Sequence, residues 1–259
     1  MKIPALFLSH GAPTLAVGEG YEAKAWARIA SELPRPRSIL AVSAHWDTRE
    51  PEVSAASRME TIHDFRGFPR ELYEQKYPAP GAPELAQHVA QLVQVAGLTC
   101  RIDPARGLDH GAWVPLKWMY PKADIPVTQL SVQSHRGPAH HLGLGRAIAS
   151  LVGEDVLVLA TGGIVHNLGD LEWEKQGTRE AAEWARQFND WIADRVEKEA
   201  LDDLLAYRDR APNAARSHPT EDHFAPFFVA LGAGGLPARR VSLGFDFGTL
   251  GLDAYVFGG

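Results

Sequence analysis

At 259 residues, with 45% hydrophobic and 22% charged side chains, the chain has the make-up of a folded protein with one full core, which excludes a disordered or fibrous one. A formal net charge of -6 leaves no basic surface for nucleic acid or anionic lipid, and no apolar run approaches the roughly 18 residues that a membrane span needs. The single cysteine, Cys100, excludes an internal disulfide, and the N-terminus shows no basic stretch followed by a long apolar run, so the expected compartment is the cytoplasm and the expected partner a small molecule.

Ile3 to Leu8 is a short apolar run that predicts a strand, ending in Ser9-His10-Gly11-Ala12-Pro13, where glycine and proline force a turn. Tyr21 to Leu33 alternates Ala, Trp and Ile with charged residues, an amphipathic helix stopped by Pro34 and Pro36. Ser38 to Trp46, bounded by prolines on one side and Asp47-Thr48-Arg49 on the other, reads as a buried strand that presents His45 at its exit. Val53 to Ser57 predicts an outer strand, and the aromatic and proline-rich excursion from Ile62 to Pro83 is suited to wall a pocket. Leu85, Val89, Leu92 and Val93 place a helix over Glu84 to Val95, closed by Gly97, and Leu98 to Ile102 predicts a strand. The polar turn Gly107 to Trp113 carries His110 and leads into a helix stopped by Pro121.

Ile125 to Val132 predicts a strand, Ala139 to Leu151 a helix, and Val156 to Ala160, the most uniformly aliphatic run, a strand leading into Thr161 to Leu168 with His166. Arg179 to Glu199 predicts a long helix with Trp184, Phe188, Trp191 and Ile192 on its apolar face. Phe224, Phe227, Phe228 and Leu231 mark another, with Thr220 or Asp222 as its cap, His223 at its start and Pro226 in or near its first turn. Val241 to Phe245 and Asp253 to Phe257 predict closing strands. The alternation predicts an α/β fold: one domain over 1–259, with a central mixed or mostly parallel sheet flanked by helices.

Open α/β sheets carry their chemistry beyond the carboxyl ends of the strands. Among 11 histidines, His10, His45 and His166 each follow a buried strand within a few residues, so they are candidates to meet at that edge. Neutral imidazole is a common ligand for zinc and iron, and catalytic sites have three protein ligands with positions open to water or substrate. No HExxH or CxxC cluster supplies a local signature. His63, His88, His135, His140, His141 and His218 read as surface or structural. Ser9 and Ser43 lie near histidines but not in a GxSxG elbow, which argues against a serine hydrolase. The runs Gly143-Leu144-Gly145 and Gly232 to Gly235 are not the GxGxxG of a nucleotide site.

Taken together, Leu6-Phe7-Leu8-Ser9-His10-Gly11, Ser43-Ala44-His45-Trp46, Ile62-His63-Asp64-Phe65 with Gly67-Phe68-Pro69, Tyr77-Pro78-Ala79-Pro80-Gly81, Leu108-Asp109-His110-Gly111 and Val165-His166-Asn167-Leu168 resemble, in order and over nearly the whole chain, the class III extradiol ring-cleaving dioxygenases, specifically their DOPA 4,5-dioxygenase branch. The resemblance implies a single α/β domain with a metal site at the carboxyl edge of its strands. It further implies one non-haem divalent metal, Fe(II) for activity or Zn(II), and as partners a small aromatic diol and dioxygen. Nucleic acid, membrane and an obligate protein partner are not expected.

Carried over residue by residue, His10 and His45 match the family's first two metal ligands. His223 falls where relatives outside the branch have a glutamate ligand, while the branch itself has histidine there. A 2-His-1-carboxylate triad is the usual ferrous oxygenase pattern, whereas three neutral histidines look equally like a zinc site. Glu221 and Asp222 are nearby carboxylates, as partners of the ligand or as the third ligand. His166 matches the active-site histidine, acting as acid/base or as a fourth ligand, and His110 matches one suited to hydrogen-bond a substrate hydroxyl or bound oxygen. Trp46, Phe65, Phe68 and Trp113 are candidates for the pocket wall. Two other readings stay open here: a zinc hydrolase using metal-bound water, and a non-catalytic metal-binding protein on the same fold, against which the presence of both His110 and His166 argues.

Overall fold

The strands are β1 (Ala5–Ser9), β2 (Ser38–Asp47), β3 (Glu52–Ser54), β4 (Arg101–Asp103), β5 (Val127–Val132), β6 (Val156–Gly162), β7 (Ala238–Val241), β8 (Phe245–Asp246), β9 (Leu250–Gly251) and β10 (Ala254–Phe257) in the computed structural model, which describes residues 3–18 and 20–258. The helices are α1 (Tyr21–Glu32), α2 (Arg70–Glu74), α3 (Pro83–Val95), α4 (His110–Met119), α5 (Gly137–Ala147), α6 (Glu183–Glu197), α7 (Leu201–Leu205), α8 (Tyr207–Arg210), α9 (Ala214–Ser217) and α10 (Ala225–Gly234). Among the described residues no helix is long and apolar enough to cross a membrane.

Eight strands hydrogen-bond in the order β4-β3-β5-β2-β6-β1-β10-β7, and β8 pairs with β9 in a separate ribbon. The central β5, β2, β6 and β1 run parallel, while β10 is antiparallel to β1 and to β7, and β3 is antiparallel to β5. The single α/β domain with a mixed, mostly parallel sheet is therefore as expected. Alternate side chains of the central strands feed two cores. Phe7, Leu40, Val42, Val158 and Ala160 face α3, α5, α6 and α10, and Leu6, Leu8, Ile39, Ala41, Leu157 and Leu159 face α1 and α4. Burial on both faces is why these strands are continuous apolar runs.

The parallel register is what positions the site. Ser9 lies opposite Gly162 and Ser43 opposite Thr161, so the chain leaves β1, β2 and β6 at one edge, with His10 and His45 just beyond. Within the two glycine runs, Gly145 and Gly232 serve packing: a Cβ on Gly145 would strike the carbonyl oxygen of Val229, and one on Gly232 that of Leu142, where α5 and α10 cross.

Several boundaries differ from expectation. The strand expected over Val53 to Ser57 is β3, which ends at Ser54, and the one expected over Leu98 to Ile102 lies later, at Arg101–Asp103. The span Val241 to Phe245 is not one strand, because the Asp253 carboxylate accepts the Leu243 N–H at 2.8 Å and bends the chain between β7 and β8. The helix expected from Arg179 starts at Glu183, since Arg179 has a positive φ of 66° and pairs with Phe245. The helix expected over Ala139 to Leu151 divides into α5 and a 3-10 turn over Ala149–Gly153. Neither Thr220 nor Asp222 caps α10, although Pro226 does lie in its first turn. The Glu221 carbonyl accepts from Phe224 and Ala225 instead.

Candidate metal centre

Five histidines from five segments converge at the sheet edge. His10 is fixed as β1 ends, its N–H donating to the Gly162 carbonyl at 2.9 Å. His45 lies in the irregular end of β2, where the register to β5 shifts between Val42 and Asp47, a bulge-like device that re-aims a side chain. Its N–H donates to Ser43 Oγ at 3.2 Å. His110 opens α4, whose cap is Asp109, and its N–H donates to Asp64 Oδ1 at 2.9 Å. His166 is held by its N–H on the Ser217 carbonyl, and His223 by its carbonyl, which accepts from Gly163, each at 2.9 Å. Gly162 permits that last contact, because a Cβ there would overlap the His223 carbonyl oxygen.

The Nε2 atoms of His10 and His45 are 3.0 Å apart, close to the spacing of two ligands each about 2.1 Å from one ion. Donor atoms of His10, His45 and His110 all lie within 4.8 Å of one another. The His223 ring centre is 5.0 Å from that of His45 and 5.4 Å from that of His10. His166 stacks flat on His223, with ring centres 3.4 Å apart and planes 3° from parallel. All the candidate ligands and both candidate acid/base groups are thus neighbours, and His110 is as near to His10 and His45 as a ligand would be.

Two carboxylates orient the rings. Asp64 Oδ2 lies 3.2 Å from His45 Nδ1 and 3.0 Å from His110 Nδ1, and Asp222 Oδ2 lies 2.7 Å from His223 Nδ1. A carboxylate on Nδ1 leaves the Nε2 lone pair free to bind a cation. Burial, and then the neighbouring imidazoles, hold His10 and His45 well below the usual histidine range, and burial followed by His223 pushes His166 down to about 2. Burial alone would raise the carboxyls of Asp64 and Asp222. Interactions with His110 and His45 outweigh it and hold Asp64 at about 2, and those with His223 hold Asp222 below the usual carboxylate range. Neutral imidazoles backed by anions are a donor set that fits a divalent metal.

The histidines floor a cavity of about 500 Å³, walled by Phe65, Phe68, Leu168, Trp173 and Phe247, with Thr14, Arg66 and Gln176 as polar lining. Two of the four expected wall aromatics are elsewhere. Trp46 is buried beneath the Arg106 guanidinium, and Trp113 is in the core with its Nε1–H on the Ile62 carbonyl. Trp173 and Phe247 take their place, with ring centres 5.1 Å apart. The Ser9 hydroxyl is committed to the Asp253 carbonyl and the Ile164 N–H, so it is no nucleophile. His218 and His141 are buried structural groups: one holds the Ile164 carbonyl, the other the Gly137 carbonyl and the Gln133 N–H. Asp64 was visible in the sequence only as part of a motif. Glu221 turns away to Arg208, which leaves Asp222 as the carboxylate beside His223.

Residues 4–258 match the family described as the catalytic LigB subunit of aromatic ring-opening dioxygenase. The chain is 40% identical over 257 residues to a 4,5-DOPA dioxygenase extradiol of Beta vulgaris, covering 97% of this chain and 95% of that one. It is 38% identical over 259 residues to a protein of the same name from Escherichia coli K12, covering 97% and 93%. The crystal structure of an uncharacterized Escherichia coli K12 protein superposes with a TM-score of 0.81 at 33% identity, over 99% of this chain and 100% of that one.

Proposed function

The chain belongs to the LigB family of aromatic ring-opening dioxygenases, and from that premise we propose that it is a metal-dependent extradiol dioxygenase that opens the ring of a catechol, such as DOPA, with dioxygen. The observation that supports this reading best is the meeting of five histidines from distant segments at the floor of an aromatic-walled cavity. His10, His45 and His223 are the proposed holders of one non-haem divalent metal, Fe(II) for activity or Zn(II). His166, lying against His223, is either the fourth ligand or the acid/base. We take residues 1–259 as one catalytic domain, and the single cysteine fits a cytoplasmic location.

When bound, the metal supplies the electron path between catechol and dioxygen that side chains lack. The protein's own part is placement and proton handling. Asp64 lies within ion-pair distance of both His45 and His110 and so helps to place each ring. His110, whose ring centre is 5.7 Å from that of Phe65 in the cavity lining, is the proposed hydrogen-bond partner of a substrate hydroxyl. His166, lying flat against His223 at the cavity floor, is the residue proposed to move a proton of that diol if it is not a ligand. The apolar wall holds the ring and limits the access of water.

The reading is tested with labelled oxygen. In the Fe(II)-loaded protein under 18O2, a catechol product trapped by reduction carries both labelled atoms. A product that takes its oxygen from water and forms equally under nitrogen would instead mark a metal hydrolase.

A further inference from the structure

Every catechol offers the same two hydroxyls, so selection among catechols falls to whatever meets the substituent elsewhere on the ring. Apart from the histidines, Arg66 is the only charged side chain among the described residues that line the cavity, and no aspartate or glutamate lines it. Arg66 is exposed and makes no ion pair with any described residue, whereas Arg70, four positions on, is paired with Glu74 at 2.8 Å. Its place is not arbitrary. It follows Phe65, whose ring packs edge-on against His110, and it lies two residues from Asp64, which orients His45 and His110. The loop that fixes the diol-binding end of the cavity thus also supplies an uncompensated guanidinium to it.

A guanidinium matches a carboxylate with paired, charge-assisted hydrogen bonds. An ammonium in the same cavity meets a cation and finds no anion in the lining. We propose that Arg66 is a specificity-determining residue that binds a carboxylate on the ring substituent, so that the enzyme prefers catechols with a purely anionic tail to those with a zwitterionic or cationic one. The proposal rests on the catechol-cleaving reading and narrows its substrate class. Leu168, Trp173 and Phe247 are apolar lining available to the rest of the substituent.

The test compares 3-(3,4-dihydroxyphenyl)propionate, 4-ethylcatechol and L-DOPA on the wild type, Arg66→Gln and Arg66→Lys, all Fe(II)-loaded. In the wild type the propionate is expected to lead both others in kcat/KM by about tenfold, the range of a partly exposed charge-assisted contact. Arg66→Gln is expected to erase most of the propionate-to-ethylcatechol ratio, through KM rather than kcat, and Arg66→Lys to restore part of it. A ratio unchanged in Arg66→Gln, or a wild type that favours L-DOPA over the propionate, would overturn the assignment. A second readout needs no turnover. Tryptophan fluorescence titrations with 3-phenylpropionate and 3-phenylpropionamide give a binding ratio that falls about tenfold in Arg66→Gln if the guanidinium binds carboxylate, and stays fixed if it does not. Absence of turnover with all three catechols alongside a shifted binding ratio would therefore count against ring cleavage and not against Arg66.

Discussion

His10→Ala and His45→Ala are each expected to yield a folded protein that holds no stoichiometric metal and opens no catechol ring. The two Nε2 atoms lie 3.0 Å apart, so each variant removes one of the two donors that define a common point. Loss of a group that merely orients a ligand costs about 10–100-fold in metal affinity, and loss of the ligand itself costs more. The fold should survive for an electrostatic reason. Burial holds these rings neutral, so removing one imidazole takes away no buried charge and leaves only a small cavity at the sheet edge. Metal analysis and thermal melts check this. Full stoichiometric metal in both variants would show that the ion, if any, sits elsewhere.

The second large effect is expected at His166 and separates its two roles. If His166 moves the proton, His166→Gln lowers kcat by about 10²–10⁴-fold, the usual weight of a positioned acid or base, while the metal stays. If it is the fourth ligand, metal and activity fall together. The flat stack makes the outcome informative: with ring centres 3.4 Å apart, His166 lies directly against the proposed ligand His223, where either role is open to it. His110→Ala and His223→Ala complete the comparison. His223→Ala is expected to release the metal and His110→Ala to keep it, with turnover impaired in both. The reverse would exchange the two residues, which the closeness of His110 to His10 and His45 makes a real contest.

Much of this site could be read from the chain because a parallel sheet buries its central strands on both faces. Such strands are uninterrupted apolar runs that give way to polar residues at their exits, and His10, His45 and His166 were each found within a few residues of such an exit. Asp64 escaped because its partners are 19 positions before it and 46 after it, as His45 and His110, and no local spacing links them. The wall aromatics were half wrong for a related reason. Trp46 and Trp113 share segments with His45 and His110, yet both point into the core, while Phe247 reaches the cavity from the turn between β8 and β9 and Trp173 from a 3-10 turn that sequence periodicity does not mark. Boundaries failed where a long-range bond overrode local preference, as at Arg179 and Leu243.

The central claim is that the histidine cluster holds one metal through which a catechol and dioxygen react. Its most direct test loads the metal-free protein with Fe(II) or Zn(II) under nitrogen, adds L-DOPA or a simple catechol, and then admits oxygen while visible absorbance and oxygen uptake are recorded. The account predicts a yellow ring-opened product only with iron and only after oxygen enters, with one dioxygen consumed per catechol. Tight zinc binding at the histidines with no oxygen uptake from any catechol with either metal would contradict it.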